Sequence, residues 1–283
     1  MRASFSDAIS DLSSLAYQLW PPLLPYRFDR SLLPRATGSR GEPSIDVLTY
    51  NVEFSGAAGA AADRVIDAIT QASADIVLLQ ETNPAWERRL ASLEYRHVHY
   101  HHPTRQLAGG CAVLSRFPLA ECRAISFGDV AGSVFPALAC AVDTPAGVLR
   151  VVNVHLRPPL ELSGGALLSS ARTTASVRLG EARSLMRACP DADLVAGDFN
   201  EADGSAALAT LAAAGFGDAL AEWVPRRKET HLWPLARGLT LRKRLDHVAY
   251  RTARLACVGC GVLSGFEEGA SDHQPVLARL VGR

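Results

Sequence analysis

Short apolar runs that end in polar islands constrain this chain more than any other feature. Residues 76–79, Ile-Val-Leu-Leu, are unbroken hydrocarbon, and Gln80-Glu81-Thr82 follows at once. A run that short suits a strand buried on both faces, since a buried helix needs about ten residues or more. Residues 45–50 lead in the same way into Asn51-Val52-Glu53, and residues 194–196 into Gly197-Asp198-Phe199-Asn200. Near the carboxyl end the order reverses, with Ser271-Asp272-His273-Gln274-Pro275 standing before the apolar residues 276–281. Four islands rich in carboxylate and amide, one ending in Asp-His, point to a divalent-cation site with a general acid or base beside it.

Further strand patterns fall at 111–115, 137–142, 149–155, 247–250 and 255–263. Helical patterns fall at 61–72, with Val65, Ala68, Ile69 and Ala72 on one face, and at 169–187 and 206–214. Many strands joined by both hairpins and crossovers imply an α/β fold of two packed sheets flanked by helices. The chain's 283 residues, 48% hydrophobic, suit one large domain with an appendage. The appendage is residues 1–43. Phe5, Ile9, Leu12, Ala16 and Leu19 trace an amphipathic stripe that Pro21-Pro22 stops, and a Gly/Ser/Arg linker follows over 36–44. The stripe suits a helix capping the domain. A membrane-surface or partner-binding helix is the alternative, though Asp7 and Asp11 on the polar face count against the membrane. No apolar run is long enough to span a bilayer and no secretory leader is visible, so a cytoplasmic protein is the expectation.

Net charge is zero, which gives no global support for non-specific nucleic-acid binding. Locally, residues 223–244 hold Arg226, Arg227, Lys228, Arg237, Arg242, Lys243 and Arg244 against Glu229, with Trp223, His231 and Trp233 interleaved. Such a stretch reads equally as a solvated face or as a rim that grips phosphates and stacks bases. His97, His99, His101 and His102 crowd one short segment, a solvated strand edge or substrate-facing rim by default and a transition-metal patch in the alternative. The six cysteines are scattered and suggest no disulfide framework. Cys257 and Cys260 lack a second ligand pair for zinc and, at strand periodicity, point to opposite faces.

The series Thr49-Tyr50-Asn51, Leu79-Gln80-Glu81, Asn153-Val154-His155-Leu156, Gly197-Asp198-Phe199-Asn200, Leu245-Asp246-His247 and Ser271-Asp272-His273 resembles, in order and spacing over residues 45–281, the endonuclease/exonuclease/phosphatase superfamily with its DNase I-like fold. Residues 110–119 resemble the strand and turn that precede the middle hairpin in such proteins. The resemblance implies a four-layered α/β sandwich of two central mixed sheets, Mg2+ or Mn2+, and hydrolysis of a phosphate ester. It implies that Glu81 is the principal metal ligand, supported by Asn51 and Asp272. Asp198 and Asn200 would orient or activate the water. His273, partnered by Asp246, and His155 would contact the phosphate.

The chemistry is coherent without the family, because hard cations take oxygen ligands and an Asp-His pair fixes an imidazole's tautomer. Glu53 matches an acidic position of the apurinic-site nucleases, whereas Leu245-Asp246-His247 departs from the Cys-Asp-Arg-type motif of inositol-phosphatase relatives. The expectation is therefore a metal-dependent phosphodiester hydrolase acting on DNA or RNA, with Arg226, Arg227, Arg242 and Arg244 on the substrate. A lipid or small-molecule phosphoesterase of sphingomyelinase type, docking at a membrane through residues 1–43, is the alternative. A dead binding module is disfavoured by the full residue set.

Overall fold

The structure, a computed structural model, describes residues 26–34, 43–104, 107–159, 167–224, 228–234 and 240–283, with 167–173 and 234 as backbone only. The helix expected over 1–20, Arg226, Arg227 and Arg237 lie outside the described residues.

Strand β1 (Ser44–Asn51) passes through helix α1 (Gly59–Ala72) into β2 (Ile76–Gln80), parallel to β1. Helix α2 (Pro84–Leu90), β3 (His97–His101) and β4 (Cys111–Ser115) follow, and then a second sheet begins with β5 (Leu119–Ile125), β6 (Ala137–Thr144) and β7 (Gly147–His155). Helix α3 (Leu167–Ala188) carries β7 into its parallel neighbour β8 (Leu194–Asp198). The chain continues through α4 (Ala206–Ala213), β9 (Phe216–Asp218), α5 (Ala219–Trp223) and a two-stranded ribbon of β10 (His231–Pro234) with β11 (Thr240–Lys243). Strands β12 (Asp246–Arg251), β13 (Leu255–Val262) and β14 (Val276–Gly282) complete it. One sheet has the order β13-β14-β1-β2-β4-β3, the other β5-β6-β7-β8-β12-β9. Each holds one parallel pair among antiparallel ones, as expected of a mixed-sheet sandwich.

The period-two rule explains the layering. Ile45, Val47, Ile76 and Leu78 of the first sheet face Leu138, Val151, Ala196 and Val248 of the second across a common core. Leu48, Tyr50, Val77 and Leu79 face the other way, against Val65, Ala68, Ile69 and Ala72 of α1. Val152 and Val195 meet Ala182 and Leu185 of α3 and Leu211 of α4. Each buried valine, leucine or isoleucine among them contributes roughly 1.5–3 kcal/mol. The expected α1 stripe is thus the buried one. No helix among the described residues is long and apolar enough to cross a membrane.

Three local differences from the sequence reading have physical causes. Asn83 and Pro84 open α2, a helix absent from the helical patterns of the sequence: the Asn83 side chain accepts from the N–H groups of Ala85 and Trp86, Pro84 occupies the first turn, and Trp86 is buried. Cys257 and Cys260 do not point to opposite faces. A register shift between Cys257 and Gly259 adds a residue, so both thiols turn to the inter-sheet core. Cys122 and Cys140 on adjacent strands β5 and β6 form a disulfide, brought together where a bulge leaves Cys122 without a register partner.

Residues 26–34 lie on the domain. Phe28 rests where a Cβ on Gly261 would meet its ring at 2.3 Å, Leu33 and Pro34 cover Gly259, and Arg30 pairs with the buried Asp46 at 2.8 Å.

At one end of the inter-sheet core the residues become polar. Gln80 and Asn153, both fully buried, join the sheets: Gln80 donates to the Asn153 carbonyl oxygen (2.6 Å), and the Asn153 amide donates to the carbonyls of Leu79 (2.7 Å) and Ala112 (3.0 Å). On the outer face of β12, His247 Nδ1 meets Asp218 at 2.7 Å and Nε2 meets the Glu201 carbonyl at 3.0 Å, tying β12 to β9.

Two measurements follow. Asn153→Ala removes three buried hydrogen bonds between the sheets, leaving the Gln80 amide only Thr49 and the Leu78 carbonyl, and is expected to cost about 1–3 kcal/mol, seen as a lower urea midpoint; an unchanged midpoint would show that the clamp adds nothing. Burial pushes the Asp218 carboxyl up, but His247 outweighs it and lowers it. Burial likewise disfavours charged His247, but Asp218 raises its pKa above the usual 6.5. Asp218 therefore adds stability above its unfolded pKa, lost as pH falls through its lower folded value. His247 adds stability below its unfolded pKa, lost as pH rises through its higher folded value. The pair contributes most between about pH 4 and 6.5. His247→Gln should flatten the stability–pH curve on both sides of that window, removing the loss as pH falls below about 4 and the loss as it rises above about 6.5.

Candidate active site

Ligands and catalytic groups of open α/β sheets gather at the carboxyl ends of parallel strands. Here β1 ends at Asn51, β2 at Gln80 with Glu81 following, β7 at His155 and β8 at Asp198. His155, Asp198 and Asp246 form one lateral row, since His155 pairs with Asp198 across β7–β8 and Asp198 pairs with Asp246 across β8–β12. All three continue the inner stripe of their strands, so they meet Asn51 from the other sheet.

Backbone strain accompanies the convergence. Glu53, Glu81 and Asn200 have φ of 59°, 61° and 52°, three of the five non-glycine residues at positive φ among the described residues. Such conformations cost energy and persist where surrounding structure enforces them. Gly197, at φ 148°, precedes Asp198 where a Cβ would lie 2.0 Å from the Val154 carbonyl oxygen. Only glycine lets β8 approach β7 so closely there.

Asp198 is the centre. Its Oδ2 lies 3.2 Å from the Asn51 amide nitrogen, 3.2 Å from that of Asn200, and 3.6 Å from Nε2 of both His155 and His273. Its Oδ1 accepts from the Asn200 N–H at 2.8 Å. Burial pushes its carboxyl up and the imidazoles oppose this; the net direction is up, which strengthens it as a base. His273 hydrogen-bonds Asp246 through Nδ1 at 2.8 Å. Burial disfavours its charge, yet Asp246 and Asp198 outweigh burial and raise it to about 10, so the ring is an imidazolium at neutral pH. Asp246 is held by the Thr230 hydroxyl, which accepts from the N–H groups of Leu245 (2.9 Å) and Asp246 (3.1 Å). His155 is different. Burial lowers its pKa despite Asp198, and its ring stacks on Phe135 with centroids 4.4 Å apart. It is a neutral imidazole wedged in place.

Glu81 accepts from the Phe54 N–H (2.8 Å) and the Asn51 amide (3.1 Å) and keeps a partly exposed carboxylate. The Asn51 carbonyl accepts from the Ser271 hydroxyl at 2.8 Å, which brings the segment carrying Asp272 and His273 to the same corner. Asp272 is held below the usual carboxylate range: burial opposes this, and His231, 3.5 Å away, and His273 outweigh it. Carboxylate oxygens suit a hard divalent cation, and two are offered at this corner: Glu81 keeps a partly exposed carboxylate and Asp272 is held ionised, whereas the tighter group of Asp198, Asp246 and His273 contains an imidazolium with no lone pair to give. Asn51 as placed turns its nitrogen to Glu81 and Asp198, because its oxygen accepts from the Glu53 N–H (3.1 Å).

Other expected residues are placed elsewhere. Glu53 turns its carboxylate to the Ser55 hydroxyl (2.8 Å) and away from this cluster. Asn200 spends its amide on Asp198 and the Leu156 carbonyl (3.0 Å), holding the base rather than reaching outward. Arg244 is buried, not on a rim. Its guanidinium bonds the carbonyls of Lys228 (3.2 Å) and Val224 (3.2 Å) and the Asp203 carboxylate (3.1 Å). Lys228 is buried on Gln274 (2.7 Å), whereas Arg242 is half-buried on the ribbon. His231 is the residue the sequence reading undervalued. Its backbone bridges His273 and its ring lies 4.5 Å from the His273 ring.

With this geometry in view, the comparisons are direct. The model of the endonuclease/exonuclease/phosphatase family matches residues 48–273. The chain belongs to that family. Its members are phosphoesterase hydrolases, and this chain is a hydrolase of that superfamily. No curated protein matches the sequence. Among solved structures, an endonuclease/exonuclease/phosphatase from Beutenbergia cavernae shares 18% identity over 84% of this chain and 72% of that one, with a TM-score of 0.64. D. rerio TDP2 humanised by 14 mutations shares 18% over 84% and 98%, at 0.64. Sphingomyelinase C from Streptomyces griseocarneus shares 21% over 84% and 99%, at 0.60. These likenesses establish the DNase I-like fold.

Asp198→Ala and His273→Ala are each expected to lower kcat by at least ~100-fold, the lower range for a positioned acid–base group. Asp246→Asn should cost less, since it only orients and charges the ring. Near-normal kcat in folded His273→Ala would remove that imidazole from the chemistry.

Proposed function

We propose that this chain is a divalent-metal-dependent phosphodiester hydrolase whose substrate is a nucleic acid, with residues 44–283 as the catalytic unit. The observation that carries the reading is the Asp198 carboxylate, held 3.6 Å from two imidazoles of opposite character, one charged by Asp246 and one neutral. Glu81 and Asp272, with Asn51 reoriented, would hold Mg2+ or Mn2+. The bound cation would neutralise charge on the phosphate. Asp198 takes a proton from the water whose oxygen forms the new bond to phosphorus. The His273 imidazolium hydrogen-bonds a phosphoryl oxygen as negative charge grows there, and the ester oxygen leaves. Asn200 keeps the Asp198 carboxylate aimed.

The ribbon favours nucleic acid over lipid. Leu232 N–H donates to the Asp272 carbonyl at 2.8 Å, which fixes β10 beside the site, and the ribbon carries Trp233 at the surface with half-buried Arg242. Trp233 shares its face of the ribbon with Lys243, since Trp233 pairs with Leu241 and His231 with Lys243, and a cation on the same face as an exposed ring suits a phosphate backbone with stacking bases. With Arg244 and Lys228 buried, the outward charge of the segment's described residues rests on half-buried Arg242 and Lys243.

Turnover of bis-p-nitrophenyl phosphate is expected with Mg2+ or Mn2+, to vanish in EDTA, and to fall in Glu81→Gln with weaker metal binding. Undiminished turnover in EDTA would refute metal dependence. On a panel of single- and double-stranded DNA, RNA, sphingomyelin and inositol phosphates, the oligonucleotides should be cut best. Arg242→Glu should raise KM on them while leaving kcat on the small substrate unchanged. Preference for sphingomyelin would overturn the nucleic-acid assignment.

A further inference from the structure

His97, His99 and His101 alternate along β3 and therefore share one face. Register identifies it. They stand opposite Ser115, Val113 and Cys111 of β4, and the last two belong to the core between the sheets. Because β3 is the outermost strand of its sheet, that core opens to solvent here, and the three rings are half-buried. Among the described residues none of the three has a hydrogen-bond or ion-pair partner. His102 contrasts with them, pairing with Glu87 at 3.4 Å and lying beside Tyr100.

None of their nitrogens is a buried atom left without a partner, so all are open to solvent and free to take a ligand. Three such imidazoles aligned at a sheet edge offer converging nitrogen donors, which suit borderline divalent cations. We propose that His99 and His101 chelate a transition-metal dication of the Zn2+, Ni2+ or Cu2+ class at the open edge of the sandwich, with His97 outside the first pair. Alternate residues of a strand lie about 6.6 Å apart. Rotation of the two unbonded rings toward each other brings their nitrogens to the roughly 2.0–2.1 Å metal–nitrogen distance without moving the backbone. His101 also lines a cleft of about 480 Å³ with Ser126, Ser133 and Phe135, which leaves room for waters to complete the shell. The rival cluster of Asp203, Asp218 and His247 is already satisfied, by Arg244 and the Glu201 carbonyl.

The test is a Ni2+ titration of tag-free full-length protein by calorimetry, in saturating Mg2+ so that the oxygen site is occupied. One Ni2+ per chain is expected. The double variant His99→Gln, His101→Gln should weaken it at least tenfold with an unchanged melting temperature. His97→Gln should alter it less than about threefold, and Glu81→Gln should leave it as in the parent. Binding that survives the double variant, disappears in Glu81→Gln, or is absent from the parent at millimolar Ni2+ would overturn the assignment.

Discussion

The contact between Gln80 and Asn153 is the constraint on which the catalytic end of the molecule depends. Two sheets packed through hydrocarbon can slide at little cost, because dispersion and apolar burial are not directional. A buried amide pair cannot slide, since each unmade hydrogen bond in that layer carries a desolvation penalty. Asn153 reaches from its own sheet to the carbonyls of two strands in the other and takes the Gln80 amide as well. It sits two residues before His155, and Gln80 one before Glu81. The clamp that sets the relative position of the sheets therefore also sets the distance between their chemical groups.

From that anchor outward, the centre of the site is built on strand ends, with Glu81, Asp272 and His273 supplied by the segments beside them. The inner stripe that is valine, leucine and alanine through the middle of the sandwich becomes Asn51, His155, Asp198 and Asp246 at its carboxyl end. Low polarity behind these groups explains their electrostatics: burial drives His155 to neutrality and Asp198 upward, and the carboxylates around His273 are strong enough to reverse the same burial. Two imidazoles flank one carboxylate, and only one of them is charged. That asymmetry is what a phosphoryl-transfer site needs, a base and a cation kept apart at the same spacing.

Much of this was legible in the sequence, because strands buried on both faces leave unbroken apolar runs and the polar residues at their ends stand out. The strands over 45–50, 76–79 and 111–115 and the α1 stripe were readable for that reason. What stayed hidden lacked such a pattern. The ribbon of β10 and β11 joins neither large sheet and carries charges, so its sequence looked like a solvated basic stretch, and His231 was lost in it. The bulge at Cys257–Gly259 breaks the alternation that sequence reasoning relies on. Arg244 shows the opposite failure, since a run of cations in sequence says nothing about which guanidinium turns inward to satisfy carbonyls. The residues 26–34 gave no periodic signal either, because their seat is a pair of glycines on another strand.

The lateral row of His155, Asp198 and Asp246 carries a consequence for how such a molecule can change. Neighbouring strands lie about 4.7–4.9 Å apart whatever their side chains. The spacing between the two carboxylates and the imidazole is therefore inherited from the sheet's own repeat and owes nothing to loop length. Surface segments between the strands can be lengthened, shortened or exchanged, and new specificities recruited, with the chemical ruler unaltered. The vulnerable edit is a small one. Deleting a single residue within β8 would turn Asp198 toward the helices and bring a neighbour into its place, disabling the centre while the sandwich kept its outline.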